Sequence, residues 1–424
     1  MRFDNLDAWL AWQAGLNPRT IDLGLDRVRE VWRELGSPSL GAPVITIAGT
    51  NGKGSSVAVT EAILQQGGYR TACYTSPHLQ RYNERIRVDR TPVDDDTLCK
   101  AFERIDRARG DIALTYFEFG TLAALWIFAA AGVDAIVLEV GLGGRLDAVN
   151  LVDSDVALIA QVGLDHQDWL GDNIEAIGRE KAGIMRPGRP AVYSGSDMPD
   201  SIATYAGQVG AGLLVNGRHY RVERHDETWD LLAEQVEYRG LPRPAMHGAM
   251  QIDNAAGVLV ALDALRARLP LERPAIDAGL QSARLAGRFD VRPGHPTWIL
   301  DVAHNPQAAA RLDDMLGEHA AGGHRTAVFG ALGDKDVAGI GRALRERFER
   351  WCLVDLSAQP RGLSAGALAE RLAGVVDSDR LQLCGDVATT LDRLAAGAAA
   401  DDMFVVFGSF LTVGAAMDWI DARG

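Results

Sequence analysis

A chain of 424 residues is long enough for two or three domains, each with a sizeable hydrophobic core. Its formal net charge of −14 argues against nucleic acid as a general electrostatic partner, because such binding needs a basic face. The N-terminal residues lack a signal-peptide pattern, no apolar stretch is long enough to span a bilayer, and the four cysteines stand far apart, so we expect a reduced, cytoplasmic protein.

The N-terminal part of the chain predicts two short amphipathic helices within residues 4–35, with a break at residues 15–18. Thr20 and Asp22 follow the break, where either side chain could cap the second helix. An apolar, β-branched run then predicts a buried strand over residues 44–47. A helix is expected over about residues 55–67, directly after the loop that follows this strand.

That loop is rich in glycine and consists of Gly49, Thr50, Asn51, Gly52, Lys53, Gly54 and Ser55. A loop between a buried strand and a helix N-terminus is typical of phosphate sites, because peptide N–H groups and the helix dipole both favour an anion. Lys53 would add a positive charge near the β- and γ-phosphates, and Ser55 or Ser56 a hydroxyl near a metal. The spacing departs from the standard P-loop, and a mere tight turn is the alternative, but the loop favours ATP chemistry.

Strands and helices alternate through the remainder of the chain. Strands are predicted over residues 70–75, 134–140, 155–162, 189–193, 298–302, 326–329, 351–355 and 403–407, and helices over 94–109, 174–185 and 253–265. A loop at residues 115–118 is expected to open a further, long apolar helix that runs to Ala131. Continuous apolar strands separated by helices indicate a doubly wound, mostly parallel sheet. Residues 213–240 predict a small β-hairpin region, and polar residues at 287–294 a domain boundary. We therefore expect an α/β protein with a large ATPase domain (1–286) and a smaller Rossmann-like domain (287–424).

Polar side chains stand at the ends of four of the predicted strands. Lys53, Ser76, Glu139 and His166 each follow or end a strand. Each of these residues alone could be a turn residue, an ion-pair partner or a hydrogen-bonded loop residue. Ligands of parallel sheets, however, bind at the edge where the carboxyl ends of the strands lie. Hydroxyl, carboxylate and imidazole beside phosphate form a mostly oxygen-rich ligand set that suits Mg²⁺ better than zinc.

Nine motifs in the chain match one family in the expected order. They are GTNGKGS (49–55), YTSPHL (74–79), NERIRV (83–88), LEVGLGGRLDAVN (138–150), LDHQDWLG (164–171), GREKAGI (178–184), LAGRF (285–289), DVAHNP (301–306) and FGSF (407–410). Together they resemble the folylpolyglutamate synthase family of ATP-dependent Mur-type ligases over nearly the whole chain. The resemblance implies a Mur-ligase-like α/β fold and ATP-dependent joining of L-glutamate to a carboxylate through an acyl phosphate.

The resemblance also implies roles for individual residues. Residues 49–55 would hold the phosphates of ATP. Three further residues, Asn254, Arg288 and Asp301, would contact the nucleotide. Two magnesium ions are expected, and their ligands would be Ser76, Glu139 and His166. The expected catalytic residues are Lys53, Lys181, His304 and Ser409, the last two near the incoming glutamate. Lys181 matches a lysine that is carbamylated in this family, whereas the residues alone indicate a helix salt-bridge position.

Three segments resemble the dihydropteroate-binding segments of the bifunctional members of this family. They are Thr20, Ile21, Asp22 and Leu23; Thr115, Tyr116, Phe117 and Glu118; and Leu146, Asp147 and Ala148. The resemblance therefore implies two acceptors for glutamate, dihydropteroate and reduced folates. The expected partners are these small molecules with ATP and L-glutamate, neither nucleic acid nor membrane, and a monomer is expected.

Two other functions account for part of the sequence. A ligase acting on cell-wall UDP-sugar peptides would share the fold and the ATP chemistry, but no separate UDP-binding domain is expected ahead of the phosphate loop. A nucleotide-sensing module with a decayed metal site is the non-enzymatic alternative. The presence of Ser76, Glu139, His166 and Lys181 argues against decay.

Overall fold

The computed structural model describes residues 2–19, 21–234, 236–319 and 322–423, which form two compact units. The first unit contains the residues up to His78, Tyr82–Ala245 and Ala249–Arg284. The second contains Leu79–Arg81, Met246–Gly248 and the chain from Leu285 onwards. Among the described residues, no helix combines the length and the apolar character that crossing a bilayer requires.

The first unit is built on an eight-stranded sheet. Its strands are β1 (Val44–Ala48), β2 (Thr71–Tyr74), β3 (Ile86–Val88), β4 (Thr91–Pro92), β5 (Ala135–Glu139), β6 (Val156–Ile159), β7 (Pro190–Tyr193) and β8 (Gly212–Val215). The order across the sheet is β4-β3-β2-β5-β1-β6-β7-β8, and only the pairings of β3 with β2 and β4 are antiparallel. The predicted doubly wound, mostly parallel sheet is therefore confirmed.

Helices flank this sheet, and a separate small sheet joins the same unit. The helices are α1 (Leu6–Ala14), α2 (Asp26–Glu34), α3 (Lys53–Gln66), α4 (Asp95–Arg109), α5 (Tyr116–Ala131), α6 (Gln167–Leu170), α7 (Ile174–Ala182), α8 (Asp200–Val209), α9 (Met250–Asp263) and α10 (Arg273–Ser282). The small antiparallel sheet has the order β11-β10-β9 and consists of β9 (Tyr220–Arg224), β10 (Thr228–Ala233) and β11 (Glu237–Pro242). All five residues of β1 are buried, as their apolar run predicts.

The second unit is a six-stranded α/β layer structure. Its strands are β12 (Asp290–Arg292), β13 (Thr297–Asp301), β14 (Arg325–Phe329), β15 (Arg350–Leu353), β16 (Leu381–Leu383) and β17 (Met403–Phe407), in the order β12-β13-β17-β14-β15-β16. Its helices are α11 (Pro306–Glu318), α12 (Val337–Leu344), α13 (Ala365–Leu372), α14 (Val387–Gly397) and α15 (Phe410–Asp421). Every pairing is parallel except that of β12 with β13.

Some local predictions were wrong. The region predicted as one hairpin is divided: β8 extends the large sheet and β9–β11 form their own sheet. β12 lies within the polar stretch that was predicted only as a boundary, and β16 was not predicted. Asp22 does not cap α2, whose N-cap is Leu25 without a side-chain hydrogen bond. The Asp22 carboxylate instead pairs with Arg27, in the first turn of α2.

Candidate active site

The glycine-rich loop joins β1 to α3, as predicted, and its backbone conformation requires glycine. Gly52 has a φ of 90° and precedes Lys53, the first residue of α3. The loop is fixed to the segment after β6, because the Thr50 hydroxyl donates to the Gly163 carbonyl at 2.9 Å and accepts from the Gly163 N–H at 3.0 Å. Lys53 Nζ donates to the Gly49 carbonyl at 2.9 Å. The loop therefore presents a helix N-terminus and an ammonium group together, which suits a phosphate chain.

Asn254 lies directly beside this loop. A Cβ atom added to Gly52 would stand 2.6 Å from Asn254 Oδ1 and 3.3 Å from Ala160 Cβ. The Asn254 amide donates to Gln251 Oε1 at 3.1 Å, within α9. Residues from α9, from the phosphate loop and from the segment directly after β6 thus meet at one point.

The predicted metal ligands Ser76, Glu139 and His166 follow or end β2, β5 and β6, which share one edge of the sheet with β1 between β5 and β6. The Ser76 N–H donates to Glu139 Oε2 at 3.1 Å, and Glu139 is buried. His166 has a left-handed backbone (φ 51°), and its ring Nε2 lies 3.9 Å from Asp165 Oδ2. Strand order thus places all three at one edge, and the hydrogen bond joins two of them directly.

Within the described ranges, no three His, Cys, Asp or Glu side chains cluster tightly enough to hold a metal by themselves. A carboxylate, a hydroxyl and an imidazole fit a hard cation that completes its shell with water and phosphate oxygens, which is how Mg²⁺ is usually bound. The donor set therefore suits a nucleotide-bound cation rather than a closed structural site.

Lys181 is buried in α7, with 4% of its surface exposed. Burial, reinforced by the Lys53 ammonium, lowers the pKa of Lys181 to about 7. The glycine-rich loop after β5 packs against this helix: a Cβ added to Gly144 would stand 2.7 Å from the Glu180 carbonyl oxygen. The Arg145 guanidinium also pairs with Glu180 at 2.8 Å. The Lys181 side chain is therefore enclosed where α7 packs against this loop.

Asp147 is buried in the same loop, between Leu146 and Ala148. Its two carboxylate oxygens accept backbone N–H groups, Oδ2 from Leu142 at 2.8 Å and Oδ1 from Val149 at 3.0 Å. Burial outweighs these hydrogen bonds and raises the pKa of Asp147 to about 6. The carboxyl group thus shapes the loop and can exist in either protonation state near neutral pH.

The segment Thr115–Glu118 starts α5 and lies against the loop after β5. A Cβ added to Gly141 would stand 2.6 Å from Phe117 Cζ, so the phenyl ring covers that glycine. The Tyr116 ring lies 5.6 Å from the Tyr82 ring. Thr115 and Glu118 form a capping box in which each side chain accepts the other's N–H. Two of the predicted dihydropteroate segments are therefore neighbours.

The third predicted dihydropteroate segment is Thr20–Leu23, of which Thr20 lies outside the described residues. Ile21 and Leu23 are half-buried on either side of Asp22. The Asp22 carboxylate pairs with the Arg27 guanidinium at 2.9 Å, and the same guanidinium pairs with Glu118 at 2.9 Å. This segment is thereby connected to the start of α5.

In the second unit, the four predicted residues stand at the carboxyl ends of the neighbouring strands β13 and β17 or just before β12. Asp301 is buried and accepts the N–H groups of Phe289 and Ala303, both at 2.8 Å. The Arg288 guanidinium lies 5.6 Å from the Phe410 ring centre, and the His304 ring lies 6.0 Å from it. The Ser409 hydroxyl caps α15 by accepting the Thr412 N–H at 3.0 Å.

The distribution of lysine is a signal that motif matching did not use. Only four of the 43 basic residues are lysines: Lys53, Lys100, Lys181 and Lys335. Lys100 is exposed on α4, but Lys181 is buried, Lys53 folds onto the phosphate loop and the Lys335 side chain is 7% exposed in the loop after β14. In a chain that uses arginine almost everywhere, an enclosed lysine indicates a position where a compact primary amine is required.

Comparisons with known proteins show which family this chain resembles. A family model described as the glutamate ligase domain of Mur ligases matches residues 287–410. The dihydrofolate synthase/folylpolyglutamate synthase of Escherichia coli (strain K12) is 43% identical over 418 residues, which cover 99% of this chain and 96% of that protein.

Solved structures are similar over the same extent. E. coli FolC in complex with DHPP and ADP has a TM-score of 0.93 at 42% identity, with 99% of this chain and 98% of that chain covered. A bifunctional folylpolyglutamate synthase/dihydrofolate synthase with Mn, AMPPNP and L-glutamate bound has a TM-score of 0.89 at 43% identity, with the same coverage. The chain therefore belongs to the dihydrofolate synthase/folylpolyglutamate synthase family of ATP-dependent ligases.

Proposed function

We propose that this protein is an ATP-dependent amide ligase that adds L-glutamate to 7,8-dihydropteroate, giving dihydrofolate, and to reduced folates, giving folylpolyglutamates. The observation that carries the proposal is the shared strand edge: the phosphate loop follows β1, and the Ser76–Glu139 contact joins the ends of β2 and β5 on the same side of the sheet. Membership of the family and the likeness to relatives solved with nucleotide and L-glutamate support it.

Amide formation requires activation of the carboxylate, because a carboxylate is a poor electrophile. Attack of its oxygen on the γ-phosphorus of ATP gives an acyl phosphate and ADP. The amine of L-glutamate, in its neutral form, then attacks the acyl carbon, and inorganic phosphate leaves. The loop N–H groups and Lys53 would offset the negative charge that gathers during the first step. His304 and Ser409 are proposed to stand near the incoming glutamate.

We propose Mg²⁺ as the divalent cation, with two ions, held through Ser76, Glu139, His166 and the modified Lys181. A relative was solved with Mn at 43% identity. When bound, the metal would neutralise part of the negative charge of the phosphates. The chain's own contribution is to hold a carboxylate and a hydroxyl at adjacent strand ends, at the same edge of the sheet where the phosphate loop begins.

Lys181 is proposed to act as a carbamate. Its pKa of about 7 leaves roughly half of these amines neutral near pH 7, and only the neutral amine reacts with CO₂. Addition of CO₂ to the neutral amine forms an N–C bond and releases one proton, which gives a carbamate anion. Starting from the ammonium form, two protons are released in all. A buried carboxylate at this position could orient a divalent cation, which an ammonium group could not do.

Dihydropteroate is proposed to bind the neighbouring segments that contain Asp22, Phe117 and Asp147. The Phe117 ring covers Gly141, so the start of α5 and the loop that holds Asp147 form one continuous surface. Asp147 can share a proton with a ring nitrogen or an amino group of the pterin, because its pKa of about 6 lies close to neutrality. Arg288, Asp301 and Asn254 remain proposed nucleotide contacts.

An ADP-release assay with L-glutamate and each acceptor in turn tests the proposed function. We expect ADP release with dihydropteroate and with tetrahydrofolate, and a product whose mass has increased by one glutamyl residue. ADP release only with UDP-muramoyl substrates would favour a cell-wall ligase. No ADP release with any acceptor would favour a nucleotide-binding module without catalysis.

Replacement Glu139→Gln is expected to weaken the magnesium dependence of turnover. The neutral amide keeps a hydrogen-bond acceptor for the Ser76 N–H but loses the charge that attracts the cation. The Mg²⁺ concentration for half-maximal activity should rise by about 10- to 100-fold. Glu30→Gln, on the exposed face of α2, is the matched control and should leave the titration unchanged. A Glu139→Gln titration that overlays the wild type would rule out ligation by this carboxylate.

A further inference from the structure

Arg27 connects two of the segments proposed to bind dihydropteroate. The residue lies in the first turn of α2. Its Nη1 lies 2.9 Å from Asp22 Oδ2, and its Nη2 lies 2.9 Å from Glu118 Oε1. Nε donates to the same Glu118 oxygen at 3.1 Å, and Nη2 also donates to the Asp22 backbone carbonyl. One guanidinium therefore binds two carboxylates and a carbonyl.

Glu118 links this guanidinium to the start of α5. Its Oε2 accepts the Thr115 N–H at 2.7 Å, while Oε1 faces Arg27. The Glu118 side chain is only 4% exposed, so its charge depends on these partners rather than on water. Loss of the Arg27 side chain would therefore disturb the N-terminus of α5, where Tyr116 and Phe117 follow Thr115.

Asp22 has no other structural use that would explain its position. It does not cap α2, and its remaining ion-pair partner is Arg19, which lies 3.5 Å away and is 74% exposed. Surface pairs of that kind contribute little because water and salt screen them. The position of the Asp22 backbone therefore depends mainly on Arg27, which binds both the carboxylate and the backbone carbonyl of Asp22.

We propose that Arg27 is a positioning residue for dihydropteroate, and that it aligns the Asp22 segment with the start of α5 as one wall of that site. This inference rests on the proposed function, since it takes the acceptor from there. Among the described residues, the side-chain polar contacts of Arg27 are with Asp22 and Glu118 and not with the phosphate loop, so its influence is selective for the acceptor. Use of dihydropteroate depends on Arg27, whereas use of ATP does not.

Steady-state kinetics of Arg27→Gln in the full chain tests this selectivity. The KM for dihydropteroate should rise by about 10- to 100-fold, because the Asp22 segment and the start of α5 would no longer be aligned to bind the acceptor. The KM for ATP should stay within about twofold of the wild type, which a general folding defect would not allow. Arg29→Gln is the matched control, because Arg29 is on the same helix, is 56% exposed and pairs only weakly with Asp26 at 3.7 Å.

The double variant Arg27→Gln/Glu118→Gln separates positioning from the cost of a buried charge. Removing both charges leaves no unpaired buried carboxylate at position 118, so the double variant should be thermally more stable than Arg27→Gln alone. The KM of the double variant for dihydropteroate should nevertheless stay high, because Asp22 still lacks its ion-pair partner Arg27. If that KM returned to the wild-type value, the effect would belong to Glu118 and the proposal would be wrong.

The failure of this inference differs from failure of the proposed function. If the wild type releases ADP with dihydropteroate, and Arg27→Gln matches Arg29→Gln in every constant, only the role of Arg27 is refuted. An equal rise in the KM values for dihydropteroate and ATP would also refute it. If the wild type itself does not use dihydropteroate, the proposed function fails before Arg27 is considered.

Discussion

Replacing Lys181 by alanine should reduce kcat by about 10³-fold, as expected when a preorganised charge at the reacting phosphate is removed. The enclosed amine at this position is proposed to become a carbamate, so the missing group is an anion. Formate or acetate should therefore restore part of the activity of Lys181→Ala, as measured by ADP release. Because Lys181 is buried, circular dichroism should accompany the assay to show that the variant is folded.

Two control variants sharpen this experiment. Lys181→Arg keeps a positive charge but cannot be carbamylated in the same way, so it should be as inactive as Lys181→Ala, and acetate should not rescue it. Lys100→Ala, at the exposed lysine on α4, should retain full activity. Full activity of Lys181→Ala would remove this residue from the mechanism.

Replacing Gly52 by alanine should lower kcat/KM for ATP by about 10²-fold, the loss expected when a reacting group is displaced by about 1 Å. The backbone at Gly52 is left-handed, with a φ of 90°, and an added Cβ would lie 2.6 Å from Asn254 Oδ1. The loop or α9 must therefore shift. Equilibrium binding of ADP, measured by calorimetry, should weaken together with turnover.

Gly68→Ala is the matched control for this variant. Gly68 has a comparable φ of 84°, just beyond the C-terminal end of α3, but nothing lies within 4 Å of an added Cβ. Both substitutions carry a similar backbone strain, so only the contact with Asn254 distinguishes them. Equal ADP affinity in the two variants would contradict the placement of the phosphates at this loop.

The proximity of the polar residues at the strand ends could be predicted from the sequence. Apolar runs indicated the strands, and parallel strands bring their carboxyl ends to one edge, so Ser76 and Glu139 could be expected near the phosphate loop. The register within the sheet could not be read from these runs. The hydrogen bond from the Ser76 N–H to Glu139 depends on β2 and β5 being neighbours, which only the three-dimensional order of the strands establishes.

Burial of single charged residues was the least predictable feature. The residues around Lys181 indicate a helix salt-bridge position, and the packing against its helix comes from Gly144 and Arg145, about 36 residues earlier in the chain. The capping box of Thr115 and Glu118 matches a local pattern that could have been identified. The pairing of Glu118 with Arg27 could not, because the residues are 91 positions apart.

The most direct test of the central claim follows the acceptor's carboxylate oxygens. Dihydropteroate labelled with oxygen-18 in its carboxylate is incubated with the wild-type protein, ATP and L-glutamate, and the inorganic phosphate is analysed by mass spectrometry. Activation as an acyl phosphate predicts one labelled oxygen in the phosphate for each dihydrofolate formed. Dihydrofolate formation with unlabelled phosphate would contradict the account, because the carboxylate would then never have been joined to the γ-phosphoryl group.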